Sequence, residues 1–414
     1  MIAPTTVAVT FRPITADEFG DMLALDAGLF GYRPTPDDAS YLSGLFEPSR
    51  TLCAFDGDVM VATSAALPLE VTLPGGASAR MAGITWVGVR PTHRRRGLMR
   101  HLIVSHLEAL RTRGELVAGL MASESLLYRR FGFGIASRAA RVEVEPRHAA
   151  LRARLEDPGT ITALDVDRFV GHLDQLHTRM RATRNGMVSR SALSHKENYR
   201  RAAEEHAGAG PMQLFAHRDH TGDVDGLVSF RLAAHWEDGF PRYELRLHEL
   251  LGATSRAELA LWRLCLEHDL VTRVIAHGRP VDEPIVDLLG DPRRWVSRVI
   301  DDLHLRPVDV PELLSARRYA RDDALVIEVR DELLSEVAGR FRLEGGRDGA
   351  QCTSTHASAD LVLGPAELGA VLLGDTPLER LWRAGLVEER SPGAVCRGTA
   401  MLSWSPAPWA SYVF

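Results

Sequence analysis

From Val87 to Leu98 the chain reads Val87-Gly88-Val89-Arg90-Pro91-Thr92-His93-Arg94-Arg95-Arg96-Gly97-Leu98. Three consecutive arginines run into a glycine, and a stretch with helical apolar spacing follows. That combination suits a phosphorylated ligand. The first N–H groups of a helix lack intrahelical partners and stand at the positive end of its dipole, so they attract an anion. A glycine lets the backbone approach closely, where a Cβ would hold a diphosphate away. The guanidinium groups of Arg94, Arg95 and Arg96 add charge-assisted donors. Downstream stands Tyr128, a phenol of reference pKa about 10 that can give a proton to a departing thiolate. Basic clusters are more often solvated loops, and tyrosines more often amphipathic packing residues. Here the flanking elements favour chemistry for both.

Those elements are a strand over 84–89, a helix after Gly97 and a strand over 116–122. The helix carries Leu98, Leu102, Ile103, Leu107 and Leu110 as one apolar stripe. Ser123 follows the second strand as a candidate N-cap for the short turn that carries Tyr128. Upstream, the pattern predicts a strand at 7–14, a helix opened by Thr15 and another helix at 37–46. Strands at 51–55 and 59–67 flank Asp56-Gly57, a hairpin signal. A second hairpin turns at Pro74-Gly75-Gly76 and delivers strand 80–89 to the basic turn. A strand at 138–145 ends at Pro146, the expected first boundary.

The run from Val87 to Leu98 resembles the acetyl-CoA signature of GNAT N-acetyltransferases. With Ala122-Ser123-Glu124 and Tyr128-Arg129-Arg130-Phe131-Gly132-Phe133-Gly134 it resembles the Eis (enhanced intracellular survival) family. Leu98 stands where many GNAT proteins carry a second small residue, a departure that the Eis-like version accommodates. The resemblance implies an α/β (α+β) fold of tandem GNAT-like domains followed by a sterol-carrier-protein-like domain. The implied divisions are 1–146, with the acetyl-CoA site, 147–305, without one, and 306–414. Acetyl-CoA is then the co-substrate, held by Val87, Gly88, Val89, Arg95, Arg96, Gly97, Leu98, Met99, Arg100, Ser123 and Glu124. Tyr128 matches the family's general acid. The α-carboxylate of Phe414 matches its base, and Trp404, Trp409, Tyr412 and Val413 make an apolar tail with reason to be buried. Implied acceptors are primary amines, on aminoglycosides, polyamines or protein lysines, and the implied assembly is a homohexamer. A degenerate GNAT scaffold that senses acyl-CoA or binds lipid is the competing expectation.

Composition narrows the rest. A chain of 414 residues with 45% apolar and 25% charged residues is a globular protein of two or three domains. A net charge of −6 argues against a dedicated nucleic-acid binder. Cys53, Cys265, Cys352 and Cys396 lie far apart with no C-x-x-C pair, so neither a disulfide framework nor a zinc site is expected. None lies near the cofactor motif as a nucleophile. His101 and His106, five apart, do not share a helix face and suggest no metal pair. No secretory signal stands at the N-terminus, and no apolar run approaches the roughly 20 residues of a membrane span. A cytoplasmic protein with no membrane partner is expected. Asp26, Asp37 and Asp38 are the candidates for holding a cationic amine.

The middle segment predicts helices at 166–183 and 191–207, strands at 212–217, 226–234 and 243–251, a helix at 255–268 and a strand at 271–276. The order echoes the first domain, but Leu250-Leu251-Gly252-Ala253 carries no basic residue where the arginine turn would be. The last segment alternates over 324–329, 340–344, 351–355 and 359–363. Helices are expected at 365–373 and 376–384.

Overall fold

A computed structural model describes residues 9–148, 151–152, 157–191, 193–196, 199 and 208–414. The start of the strand expected at 7–14 and most of the helix expected at 191–207 lie outside the described residues. The chain forms two compact units. The first comprises residues up to 136 with Leu303–Trp404 and Val413–Phe414.

Its main sheet begins with β1 (Thr10–Arg12), β2 (Cys53–Asp56), β3 (Val59–Thr72), β4 (Ser78–Val89) and β5 (Val117–Met121) in that order. Leu303–Pro307 and then β6 (Gly134–Ile135) complete it. The two expected hairpins are present, and β3 runs unbroken from the first into the second. Helix α1 (Phe19–Phe30) is preceded by a short 3-10 turn that starts after Thr15, whose N–H is accepted by the Glu18 carboxylate at 2.8 Å. Phe19, Met22, Leu23 and Leu25 of α1 pack in one core with Phe46 and Phe55. Helix α2 (Pro36–Ser43) starts on Thr35, which accepts from the Asp38 N–H. Helix α3 (Leu98–Thr112) buries the predicted stripe: Leu98, Leu102, Ile103, Leu107 and Leu110 are all buried. The remaining leucine-rich turn, α4, spans Ser125–Tyr128.

The same unit contains a five-stranded sheet ordered Ala350–Ser354, Gly339–Gly345, Asp323–Val329, Leu361–Leu363 and Val387–Glu389. Helices Pro365–Val371, Leu378–Arg383 and Ala394–Leu402 accompany it.

The second unit comprises Ser137–Asp302 and Ser405–Tyr412. The seven strands of its main sheet run Trp295–Asp301, Arg138–Val144, Val271–Arg279, Tyr243–Gly252, Val224–Ala233, Gln213–Arg218 and Thr160–Ala163. Val166–Arg181 and Ser255–Leu266 are its long helices, capped by Asp165 and Thr254.

One strand precedes the expected boundary at 146 and another spans the one at 305. Arg138–Val144 pairs with Trp295–Asp301 and Val271–Arg279, so it belongs to the second sheet. Leu303–Pro307 pairs with β5 and β6, so it belongs to the first. Alternation marks a strand but does not say which sheet will pair with it. Leu303–Pro307 is also buried at every position, which leaves no alternation to read. Its Arg306 is buried against Asp331 at 2.8 Å.

Candidate active site

The site grows from a fault in the first sheet. β4 pairs with β5 in parallel only from Met81 to Gly83, against Val117 to Gly119. Beyond Gly83, β4 keeps its partner β3 on one side as far as Val89, while β5 leaves with Leu303–Pro307. The edge of Ile84 to Val89 that faced β5 therefore carries backbone N–H and C=O groups free to pair with an extended ligand. A bulge sharpens the divergence. The register against β3 shifts between Thr63 and Ala65, opposite Trp86, which sits at φ 53°. The Thr63 hydroxyl donates to the Trp86 carbonyl at 2.8 Å, and the Trp86 ring rests 4.4 Å from Phe46. A left-handed tryptophan is uncommon and needs such support.

The basic turn closes the end of β4. Pro91–His93 forms a 3-10 turn, and His93 Nε2 lies 3.1 Å from the Asp56 carboxylate. Arg94 and Arg96 donate to the carbonyls of Val89 and Thr92, at 3.4 and 3.2 Å. Arg95, at φ 63°, and Arg100 are exposed and, among the described residues, pair with no carboxylate. Gly97 is the N-cap of α3 at φ 81°, and a Cβ built there meets nothing within 4 Å. The residues fit a diphosphate: unpaired helix N–H groups at Leu98, Met99 and Arg100, two available guanidinium groups and open space over a left-handed glycine. By contrast a Cβ on Gly88 would collide with Leu29, so that glycine serves close packing.

Gly97→Val is therefore expected to abolish saturable acetyl-CoA binding in calorimetry. The branched residue enters a space the protein does not fill, and the left-handed backbone costs it roughly 1–2 kcal/mol besides. A preserved circular dichroism spectrum with full binding would remove this turn from the site.

At the mouth of the split lies a cavity of about 210 Å³ lined by Asp26, Phe30, Ile84, Thr85, Trp86, Val87, Met121, Ser123 and Tyr128. Tyr128 ends α4, is buried, and meets Phe133 edge-on at 6.1 Å. Its hydroxyl makes no hydrogen bond among the described residues. Burial, with the Glu124 carboxylate nearby, pushes the phenol above its usual value. Ser123 is not the cap of α4: Glu124 takes that position, without a side-chain cap bond, and both are exposed. Ser123 reaches the site instead as part of the cavity wall.

Asp26 is 3% exposed. Burial raises its carboxyl to about 6, against a lowering contribution from the Tyr32 hydroxyl, which donates to Oδ2 at 2.8 Å. Its Oδ1 has no partner among the described residues. An unpaired buried carboxylate oxygen in the wall of a cavity is costly unless it serves a cation. Of the other two aspartates, Asp38 accepts the Thr35 N–H at 2.6 Å and caps α2, while the side chain of Asp37 lies outside the described residues.

Phe414 reaches the root of the split. A Cβ on Gly83 would stand 2.8 Å from its ring, so the ring lies against the last β4 residue paired with β5. His106 faces elsewhere: it is buried with Nε2 2.9 Å from the Ser64 hydroxyl, and burial lowers it to about 4.

Comparisons with known proteins agree with this anatomy. Models of the acetyltransferase (GNAT) domain match residues 10–136 and 186–307, and a sterol carrier protein domain matches 310–411. The N-acetyltransferase Eis of Mycobacterium tuberculosis is 30% identical over 388 residues, covering 89% of this chain and 90% of the relative. The chain belongs to the Eis family of GNAT N-acetyltransferases. An uncharacterized N-acetyltransferase of Streptomyces avermitilis is 36% identical over 394 residues, covering 93% and 94%. The crystal structure of Eis1 from Mycobacterium abscessus superposes with a TM-score of 0.86 at 30% identity, covering 98% of this chain and all of that one. The Eis architecture of two GNAT domains and a sterol carrier protein domain is thus that of this chain, and it is an acetyltransferase. GNAT domains use acetyl-CoA. Among the described residues, no helix is long and apolar enough to cross a membrane.

The second unit repeats the strand fault but fills it. Tyr243–Gly252 and Val271–Arg279 pair in parallel only as far as Leu247 and Ala276. Past that point Arg279 bridges the gap to the Leu250 carbonyl at 2.6 Å and pairs with the buried Glu283 at 2.9 Å. The helix that follows starts on Thr254, whose hydroxyl donates to Asp225 at 2.9 Å, and Glu258 stands in its first turn. Asp225 and Glu258 stand at this helix start, with Glu258 3.6 Å from the buried Arg279.

Proposed function

We propose that the chain transfers the acetyl group of acetyl-CoA directly to a primary amine in the first unit, with Tyr128 as general acid. The observation that carries this is the cavity at the β4/β5 split, which brings a buried phenol, without a hydrogen bond among the described residues, and a buried carboxylate together beside the free edge of Val87 and its neighbours. Gly97, Leu98, Met99 and Arg100, with Arg95 and Arg96, hold the diphosphate. Val87, Gly88 and Val89 pair with the pantetheine arm, and Ser123 and Glu124 border it. The second unit has no such turn among the described residues, and we read it as lacking a cofactor site. Acetyl-CoA supplies the activated thioester; the chain orients it, admits the amine and handles two protons. Tyr128 gives its proton to the departing sulfur. Asp26 attracts the ammonium form of the acceptor. The Phe414 carboxylate, carried to Gly83 by its ring, takes the proton released as the amine attacks. Polyamines and aminoglycosides fit an acidic cavity wall better than a single neutral amine does.

The direct test mixes the full-length protein with acetyl-CoA and spermidine or an aminoglycoside and follows free CoA thiol. Amine-dependent thiol release is expected. Saturable acetyl-CoA binding with no thiol release from any polyamine, aminoglycoside or lysine peptide would favour the acyl-CoA sensor.

Asp26→Asn separates binding from stability. The KM for a cationic amine is expected to rise roughly 10-fold, since a charge-assisted contact is lost. Stability should move the other way. The folded carboxyl titrates at about 6, above an unfolded value near 3.9, so its neutral form favours the fold. That contribution is complete below about pH 4 and lost as pH rises to about 6. The amide of the variant stays neutral throughout, so at pH 7 Asp26→Asn should melt roughly 2–4 °C higher than the parent. An unchanged KM would take Asp26 out of amine recognition.

A further inference from the structure

The short turn that carries Tyr128 is fastened by segments from much later in the first unit. Tyr128 closes α4 and is followed at once by Arg129, which opens a 3-10 turn over Arg129–Phe131. The Arg129 guanidinium donates to Oε1 of Glu367, on the helix Pro365–Val371. That carboxylate is set in place beforehand. Its side chain is only 10% exposed, and its Oε2 accepts the Gly364 N–H at 3.1 Å. The residues after Arg129 leave no room to slide. Gly132 is left-handed at φ 83°, and a Cβ there would stand 2.8 Å from Pro365. A Cβ on Gly134 would overlap the Ala366 carbonyl oxygen, and one on Gly369 the Leu305 carbonyl oxygen. The helix Pro365–Val371 therefore lies in backbone contact with both β6 and Leu303–Pro307. At the other end of α4, Ser125 Oγ lies 3.2 Å from Nε2 of the buried His304, on that same Leu303–Pro307 strand.

The Tyr128 hydroxyl makes no hydrogen bond among the described residues, so its aim depends on what holds its backbone. Capping the helix Pro365–Val371 accounts for Oε2 of Glu367 and leaves Oε1 to the turn. Beside the pair lies a cavity of about 340 Å³ lined by Arg129, Arg130, Gly132, Glu332, Pro365 and Glu367 among others, and a released turn has that space to move into. We propose that Glu367 is a positioning residue for acetyl transfer, fixing through Arg129 the turn that presents Tyr128 to the departing sulfur. The inference rests on Tyr128 acting as general acid. The Arg129 side chain is 53% exposed, so the pair adds little to stability. Its value is directional. A proton donor must come within hydrogen-bond reach of the atom it serves, and a misplacement of about 1 Å can cost roughly 10²-fold in rate.

The test uses the full chain with Glu367→Gln and Arg129→Met. Glu367→Gln keeps the cap, because its amide oxygen still accepts the Gly364 N–H, and turns an N–H group toward Arg129. Arg129→Met removes the pair from the other side and leaves the cap untouched. Each is expected to lower kcat roughly 10-fold, with acetyl-CoA KM, binding stoichiometry and melting temperature near those of the parent. The double variant should be no slower than either single one, because both break the same contact. In a chain that already carries Tyr128→Phe, Glu367→Gln should cost nothing more, since no proton is left to aim. Parental kcat in both single variants overturns the proposal. So does an equal fold-loss from Glu367→Gln with and without Tyr128→Phe, which would place its effect elsewhere. A fall in kcat matched by an equal fall in acetyl-CoA stoichiometry also overturns it, as general loss of fold. Tyr128→Phe alone keeps the two claims apart. If it stops turnover while the pair variants do not lower kcat, the positioning role falls and the acid reading stands. If it turns over normally, the acid reading falls, and this inference with it.

Discussion

Tyr128→Phe is expected to lower kcat roughly 10²-fold or more while leaving acetyl-CoA affinity and the melting temperature nearly unchanged. The substitution keeps the ring, its burial and its edge contact with Phe133, and deletes only the proton. No hydrogen bond of the hydroxyl among the described residues is lost with it, so the fold has little to lose. The leaving thiolate, by contrast, loses its donor at the moment negative charge collects on sulfur. The pH profile carries a second expectation. Burial and the neighbouring Glu124 both favour the neutral phenol, which raises its pKa above 10. The acid form therefore persists through neutral pH, and any alkaline limb due to Tyr128 should fall above about pH 10. A limb near neutral pH that vanishes in Tyr128→Phe would contradict this environment. Parallel loss of stability and activity would instead mark Tyr128 as packing.

Deleting Phe414 is expected to abolish acetylation, and appending a few polar residues to do nearly the same. An appended chain converts the α-carboxylate into a neutral amide and leaves the ring in place on Gly83. Neither change touches Arg94, Arg95, Arg96 or Gly97, so acetyl-CoA binding should survive both. An anchoring aromatic predicts otherwise: deletion lowers stability and the extension is tolerated. The extended chain decides between them, since it alone removes the charge while retaining the side chain. Turnover with such a tag at the parental rate would leave Phe414 a packing residue. A reference α-carboxyl titrates at about 3.5, so a basic role also requires desolvation.

The pairing of a buried acid and a buried carboxylate has a cost that the rest of the unit carries. Asp26 Oδ1 is left without a partner among the described residues, and Trp86 is held in a left-handed conformation. Neither is explained by the needs of a core. Both sit in the wall of the same cavity, where strain and unsatisfied polarity gather at sites that bind.

The parts of this protein that sequence alone determined are those whose physics is local. A helix N-terminus exposes its first N–H groups whatever surrounds it, so Gly97 and the arginines before it announce an anion site. The leucine stripe of α3 and the Asp56-Gly57 hairpin are likewise settled within a few residues. The tertiary structure decided what depends on distant segments. The free edge of β4 exists because β5 pairs with it only over Val117 to Gly119, while the other edge of β5 pairs along its whole length with Leu303–Pro307, nearly two hundred positions on in the chain. Three aspartates looked equivalent in the sequence, and the tertiary structure puts Asp26 in the cavity wall with the Tyr32 hydroxyl donating to it. Which sheet Arg138–Val144 and Leu303–Pro307 join was likewise decided by their pairing partners, not by alternation. The place of the Phe414 ring on Gly83 is a contact between residues more than three hundred positions apart, which no periodicity encodes.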